Sequence, residues 1–157
     1  MPTRRETLAQ AGALLATALA QAQPKGQGTE RLTVPFEYAA GLGSLLVRGR
    51  INRRPALLVL DTGSSHTIVT AAFLGVKPPA PSPARPGVGI LSDAIGEEVT
   101  LELGPRVSQR RRVAVMDLSS VLSPYKERID GLLGLDFFSE FSRVILSFAD
   151  RTVTLVR

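Results

Sequence analysis

An all-β fold is predicted by three features of the sequence. Apolar runs of strand length recur from Arg31 onward, and the clearest of them is residues 56–60. Turn-forming residues separate these runs, as at residues 52–54. Two apolar segments near the end, residues 144–148 and 152–156, flank a polar turn and predict a terminal hairpin. The 157 residues are enough for one such domain with a sizeable core.

The first half of the domain is predicted to contain four strands. Residues 34–38 form a short strand with an edge-type proline, and residues 45–51 form a second strand that ends in a turn. The unbroken apolar run 56–60 predicts a strand that is buried on both faces. Residues 67–70 resume as a strand, and residues 70–74 are expected to form one helical turn.

The second half begins with an extended surface loop, because residues 77–86 are rich in proline. The elements predicted after this loop are a hairpin, a strand around a basic run, an apolar strand with glycines and a short helix, at residues 88–103, 107–116, 129–134 and 135–142.

The composition excludes several classes of site. The chain has no cysteine, which excludes a disulfide scaffold, a thiolate zinc site and a cysteine nucleophile. Because it has a single histidine, a two-histidine metal site within one chain is also excluded. The formal net charge of +5 does not by itself predict nucleic-acid binding. We expect neither a metal ion nor a cofactor.

The N-terminal residues have the three parts of an export signal. Arg4 and Arg5 precede an apolar stretch that is too short to span a bilayer, and Ala18-Leu19-Ala20 offers a small-residue cleavage site. The spacing of the arginines resembles a bacterial twin-arginine signal, and the general secretory route stays open. We expect a periplasmic protein without a stable membrane span, tethered to the membrane if the signal is not cleaved. The chain thus divides into a signal, a linker and one domain, at residues 1–20, 21–30 and 31–157.

One acidic residue stands directly after the buried strand. Asp61 follows the apolar run 56–60, and the small polar turn Thr62-Gly63-Ser64 comes next. Burial of a carboxylate costs several kcal/mol unless the group is hydrogen-bonded or protonated, so such positions are kept mainly where they have a function. On the tripeptide alone, however, a carboxylate that caps the next backbone amides is the better interpretation.

A second motif strengthens the interpretation of Asp61 as a functional residue. Asp61-Thr62-Gly63-Ser64 resembles the active-site loop of aspartic proteases, and Leu132-Leu133-Gly134 resembles the second signature of that family. The order of the elements is also similar, with a hairpin between the two motifs and a helix and a hairpin after the second. Residues 32–157 are thus identified as a single-domain, retropepsin-like aspartic protease. The resemblance implies a closed β-barrel with one short C-terminal helix.

The resemblance also implies that one chain supplies half of a site. Pepsin-like enzymes carry two Asp-Thr/Ser-Gly loops, whereas this sequence has the one at Asp61. A homodimer would bring two copies of Asp61 together, where they share one proton and activate a water molecule. Thr62 would brace the two loops, and Gly63 would let its N–H approach the carboxylate closely.

A hairpin that closes over a peptide or protein substrate is a further implication. The predicted substrate-binding residues are Ser64 and the candidate hairpin tip, Ser92, Asp93, Ala94, Ile95 and Gly96. Ser64 is expected to hydrogen-bond the outer oxygen of Asp61. The residues expected to support the loop are Leu132, Leu133 and Gly134. Residues 152–156 are the candidate dimer interface, because retroviral relatives pair their chain ends there.

Two alternatives concern the same loop. The segment contains Asp61, Ser64, Ser65 and His66, which are the residue types of a serine-hydrolase triad. Neighbours along an extended segment point to opposite faces, whereas a triad needs side chains that converge from separate segments. The alternative function is a non-enzymatic periplasmic binding or assembly module that kept the fold. The intact Asp61 motif favours the enzyme.

Two other groups are interpreted as structural. The run Arg110-Arg111-Arg112 could bind nucleic acid or anionic lipid, but it lacks interleaved aromatic residues, so a solvated strand or loop is favoured. The phenylalanines near the C-terminus are better explained by core packing than by a binding surface; they are Phe137, Phe138 and Phe141.

Overall fold

The protein is built mainly from short strands. The computed structural model describes residues 30–39, 41–77, 95–105 and 107–157, so the predicted signal and most of the linker lie outside it. Its strands are β1 (Arg31–Tyr38), β2 (Leu45–Ile51), β3 (Arg54–Leu60), β4 (Ile68–Thr70), β5 (Ile95–Leu103), β6 (Val107–Met116), β7 (Gly131–Leu133), β8 (Arg143–Ser147) and β9 (Thr152–Val156). Its one-turn helices are α1 (Ala71–Leu74), α2 (Ser119–Leu122) and α3 (Leu135–Phe138). Among these described residues, no helix has the length and apolar character needed to cross a membrane.

Six of the strands close into a barrel. β2 pairs with β3, β3 with β7, β7 with β4, β4 with β6, β6 with β5, and β5 returns to β2. β1 bridges the barrel to a three-stranded extension, because its last residues pair with β2 and its first residues with β9. The outermost strand of this extension is β8. The predicted closed, all-β barrel is confirmed.

The strand that precedes Asp61 is buried on both faces, as its unbroken apolar run predicts. Leu58 is fully buried in the main core, whereas Leu57 and Val59 pack with Leu46 and Ile129 in a smaller cluster. Successive side chains of a strand point to opposite faces, so the two clusters lie on the two sides of β3. Asp61 is thus attached to a strand that packing holds from both sides.

The sequence predicts the first of the three short helices but not the second. α1 is the predicted helical turn, and the Thr70 hydroxyl caps it by accepting a hydrogen bond from the Phe73 N–H at 3.2 Å. α2 was not predicted, because its residues carry no hydrophobic periodicity. The Asp117 carboxylate accepts a hydrogen bond from the Ser119 N–H at its start, and this bond lowers the pKa of Asp117.

Part of the predicted hairpin tip lies in a strand. Ile95 and Gly96 belong to β5, which pairs residue by residue with β6 along its whole length. The turn assigned to these two residues is therefore wrong, because ladder hydrogen bonds continue through them. The other tip residues, Ser92, Asp93 and Ala94, lie outside the described residues.

The terminal hairpin is confirmed, but β9 is not its free edge. β9 pairs with β1 on one side and with β8 on the other. Both of its backbone edges are used within the chain, so β9 has no free edge for strand pairing with a second chain. A role of residues 152–156 in the dimer interface stays a prediction.

Candidate active site

Parallel pairing of β3 and β7 brings the two sequence motifs together. Leu60 lies opposite Leu133 and Val59 opposite Leu132, so Asp61 and Gly134 follow at the same end of the barrel. The Asp61 N–H donates a hydrogen bond to the Leu133 carbonyl at 3.0 Å. The second motif therefore holds the backbone of the Asp61 loop directly.

The loop after β3 folds back on its own carboxylate. The Gly63 N–H donates to Asp61 Oδ1 at 2.9 Å, and the Ser64 N–H donates to the Asp61 carbonyl at 3.3 Å. A Cβ atom at residue 63 would lie 3.2 Å from Asp61 Oδ1, which is a tight contact. Glycine thus leaves room for the close approach of this N–H group to the carboxylate.

The loop presents its polar groups at the surface of the chain. Asp61 is half-buried, whereas Thr62 and Gly63 are exposed. The Asp61 carboxylate and the Thr62 hydroxyl are therefore both accessible from outside a single chain.

Ser64 does not make its expected bond. Its hydroxyl donates to the His66 carbonyl at 2.7 Å rather than to the Asp61 carboxylate. The turn brings the carbonyl two residues ahead within reach of the Ser64 side chain, as hydroxyl residues in turns commonly allow. Ser64 therefore stabilises the C-terminal end of the loop in the single chain.

A serine–histidine pair is present beside the loop. Ser65 Oγ lies 2.8 Å from His66 Nδ1, and both residues are exposed. Asp61 Oδ1 is occupied by the Gly63 N–H, and no hydrogen bond joins Asp61 to His66 in the described part of the chain. The Asp that would orient the imidazole in a triad is therefore not bonded to it.

Gly134 lets the second motif lie directly on the segment after the loop. A Cβ atom at this position would collide with the backbone of His66. The Gly134 N–H donates to Thr67 Oγ1 at 3.3 Å, and the Leu135 N–H donates to the Ser64 carbonyl at 2.8 Å. These contacts clamp both ends of residues 64–67.

Asp136 is a supporting residue that the sequence analysis missed. Its Oδ1 accepts hydrogen bonds from the Thr67 N–H at 2.7 Å, from the Thr67 hydroxyl at 2.8 Å and from the Phe137 N–H at 2.8 Å. Its own N–H donates to the Ser65 carbonyl at 3.2 Å. The available signal was its position two residues after Gly134, within the segment that the second motif brings to the loop.

Arg111 supports Asp136 from the barrel side. Its side chain is only 10% exposed and lies 3.4 Å from both Asp136 Oδ2 and Glu140 Oε1. Its guanidinium carbon is 5.4 Å from the centre of the Phe137 ring. The prediction of a solvated basic run is wrong for Arg111, because strand alternation turns it inward while Arg110 and Arg112 stay exposed.

The C-terminal phenylalanines pack in the main core, as predicted; they are Phe137, Phe138 and Phe141. Within the described ranges, no group of three or more His, Asp or Glu side chains is placed to hold a metal ion.

Comparison with known proteins agrees with this geometry. The family model described as "Aspartyl protease" matches residues 47–137, which is more than half of the chain and includes both motifs. The chain belongs to the aspartyl protease family. No curated protein matches it significantly.

Three solved structures are similar to this member of the aspartyl protease family. A retropepsin-like aspartic protease from Rickettsia conorii is 14% identical, with a TM-score of 0.50 over 82% of this chain and 90% of that one. The retroviral protease-like domain of Ddi1 from Leishmania major is 16% identical, with a TM-score of 0.43 over 70% and 89% of the chains. The EIAV protease complexed with the inhibitor HBY-793 is 19% identical, with a TM-score of 0.43 over 66% and 93%. The Rickettsia likeness supports a retropepsin-like fold.

Proposed function

We propose that this aspartyl protease is an endopeptidase whose active site forms between two copies of the chain. One observation carries the proposal: a single Asp-Thr-Gly loop, with Asp61 half-buried and Thr62 exposed, lies clamped at one end of the barrel. Hydrolysis of a peptide bond needs both a base for the water and an acid for the carbonyl oxygen. One carboxyl group per chain supplies only one of these at a time.

The proposed reaction uses two Asp61 carboxyls that share one proton. The ionised carboxylate removes a proton from a water held between the pair, and the water oxygen bonds to the scissile carbonyl carbon. The protonated carboxyl donates a hydrogen bond to the carbonyl oxygen, which stabilises the charge that develops there. The carbon–nitrogen bond then breaks as the carboxyl group that took the proton of the water gives it to the departing amine nitrogen, which leaves a carboxylic acid and an amine.

The residues around Asp61 fit distinct parts of this reaction. The Gly63 N–H is bonded to Oδ1 and so orients the carboxylate, while the exposed Thr62 hydroxyl is placed to reach a facing loop. Asp136 acts indirectly: it accepts hydrogen bonds from Thr67 and so positions the segment that follows the Asp61 loop. The predicted contacts with the substrate remain predictions; they involve Ser64, Ser92, Asp93, Ala94, Ile95 and Gly96.

The shared site predicts that specific activity depends on protein concentration. Below the dissociation constant of the dimer, the active fraction is proportional to total protein, so activity per chain should fall in proportion to dilution. The measurement is cleavage of an unstructured protein across a dilution series, with dimerisation followed in parallel by sedimentation. A statine-type transition-state analogue should block cleavage and slow the dissociation of the dimer. Specific activity that stays constant far below the measured dissociation constant contradicts the shared site.

We further propose that the protein acts after export to the periplasm, because residues 1–20 carry Arg4, Arg5 and an Ala-Leu-Ala cleavage site. Replacing both arginines by lysine should retain the charge but block export by the twin-arginine route. The fractionation of both forms between cytoplasm and periplasm is the measurement. Unchanged export of the variant points to the general secretory route, and a wild-type protein found only in the cytoplasm contradicts export.

A further inference from the structure

The segment at residues 118–127, between β6 and β7, has few polar contacts with the barrel. Among the described residues, two hydrogen bonds or ion pairs join its side chains to the barrel. The Tyr125 and Ser44 hydroxyls are hydrogen-bonded at 2.7 Å, and Glu127 Oε2 lies 3.5 Å from Arg48 Nη2. Glu127 and Arg48 are both largely exposed, and ion pairs between exposed side chains contribute little stability. The Tyr125–Ser44 bond is therefore the main polar anchor of this segment.

The apolar side chains of the segment pack on the face of the barrel that carries Asp61. Leu122 and Tyr125 are partly buried against the smaller core cluster, as is Leu132 of β7. Side chains two residues apart on a strand share a face, so the cluster member Val59 lies on the same face of β3 as Asp61. The three partly exposed side chains therefore form an apolar surface beside the carboxylate.

The pairing of β2 with β3 brings the Tyr125 hydroxyl to the same end of the barrel. Leu45 lies opposite Leu60, so Ser44 and Asp61 are the next pair of residues along the two strands. Ser44 thus flanks the Asp61 loop and is also the hydrogen-bond partner of Tyr125. This bond therefore fixes the position of the 118–127 segment relative to the loop.

We propose that Tyr125 is a specificity-determining residue of the site. Its ring forms a wall against which a substrate side chain beside the scissile bond packs, and its bond to Ser44 holds this wall in place. The inference rests on the proposed function, because it assigns part of the substrate-binding surface of the same site. Since the wall is apolar and cannot move outward without breaking the bond, it selects apolar side chains by size.

Two peptides of different side-chain size test this selection. They carry either leucine or naphthylalanine on both sides of the scissile bond, because a two-fold symmetric site presents one Tyr125 on each side. Wild type should cleave the leucine peptide with the higher kcat/KM. Tyr125→Phe keeps the ring but removes the hydroxyl, so the ratio of the two kcat/KM values should fall at least about 5-fold, as expected for one lost hydrogen bond.

Ser44→Ala breaks the same bond from the other side and should lower the ratio equally. The double variant should show no further fall, because both changes remove one interaction. Val121→Ala is the matched control, since Val121 lies in the same segment with its side chain 63% exposed, and it should keep the wild-type ratio. A bond that serves stability alone would alter unfolding without altering the choice of peptide. An unchanged ratio in the Tyr125 and Ser44 variants therefore overturns the proposal.

Binding separates this inference from the proposed hydrolysis. The probes are two statine-type analogues that carry the same leucine or naphthylalanine side chains, and calorimetry gives their dissociation constants. If wild type cleaves neither peptide but binds the analogues with a preference that weakens in Tyr125→Phe, the proposed function is wrong and the role of Tyr125 is kept. Cleavage with an unchanged ratio keeps the function and overturns this role. A protein that neither cleaves the peptides nor binds the analogues contradicts both.

Discussion

Asp61→Asn is expected to abolish peptide cleavage while leaving the fold and the dimer in place. An amide cannot accept the proton of the attacking water, so the rate should fall by roughly four orders of magnitude. The fold should survive because the Asn side-chain oxygen can still accept the 2.9 Å hydrogen bond from the Gly63 N–H. Dimer stability is expected to stay equal or rise, since two facing carboxyls no longer compete for one proton.

The matched control for this variant is Asp150→Asn. Asp150 is exposed in the β8–β9 turn, where it accepts a hydrogen bond from the Ser147 hydroxyl at 2.6 Å. Both variants and wild type are compared for cleavage of an unstructured protein and for sedimentation. If Asp61→Asn cleaves like wild type, the aspartic mechanism is wrong. If no form cleaves and the statine-type analogue does not bind, the non-enzymatic module takes its place.

Asp130 is a less suitable control than the sequence suggests. It lies beside the second motif and lacks the following hydroxyl residue, so the sequence alone predicts that its replacement by Asn leaves most activity intact. In the structure it is 5% exposed, its Oδ2 accepts the Leu57 N–H at 3.0 Å and its Oδ1 accepts the Arg128 Nε–H at 2.9 Å. An amide would offer only one acceptor for these two donors, so the variant would perturb β3 itself.

The barrel could be predicted because its determinants are local. The apolar run before Asp61 predicts a doubly buried strand, and the alternation of the last residues predicts a hairpin. The contact between the two motifs could be expected only from the family resemblance. No pattern within either segment shows that Leu60 lies opposite Leu133, since parallel pairing joins strands far apart in sequence.

The errors arose where tertiary pairing decides the outcome. The assignment of Gly96 to a turn failed because the β5–β6 ladder extends through it. Residues 152–156 were expected to be free to pair in a dimer interface, although pairing with β1 and β8 makes β9 an inner strand. Arg111 was placed in a solvated run, although the inward positions of β6 also include Val113 and Val115. The period of two along β6 was the signal that could have found this buried arginine.

Asp136→Ala should cause a large loss of stability. The substitution removes the acceptor of three hydrogen bonds, including the Thr67 N–H and hydroxyl at 2.7 and 2.8 Å. It also leaves the nearly buried Arg111 with Glu140 as its remaining carboxylate partner. Loss of this half-buried acceptor leaves the donors of the buried Thr67 unpaired and removes one partner of an ion pair. The free energy of unfolding should fall by about 3 kcal/mol.

Asp136→Asn is the matched variant that separates hydrogen bonding from charge. Its side-chain oxygen can still accept the bonds from Thr67, so only the attraction to Arg111 is weakened, at a cost of about 1 kcal/mol. Denaturant unfolding of the two variants gives their stabilities. The value of kcat, measured at protein concentrations where the dimer is fully formed, reports whether the Asp61 loop keeps its geometry. If Asp136 positions the segment after Asp61 through Thr67, the Asn variant keeps most of kcat and the Ala variant loses it even where it remains folded. Equal kcat for the two folded variants would show that the contact serves stability alone.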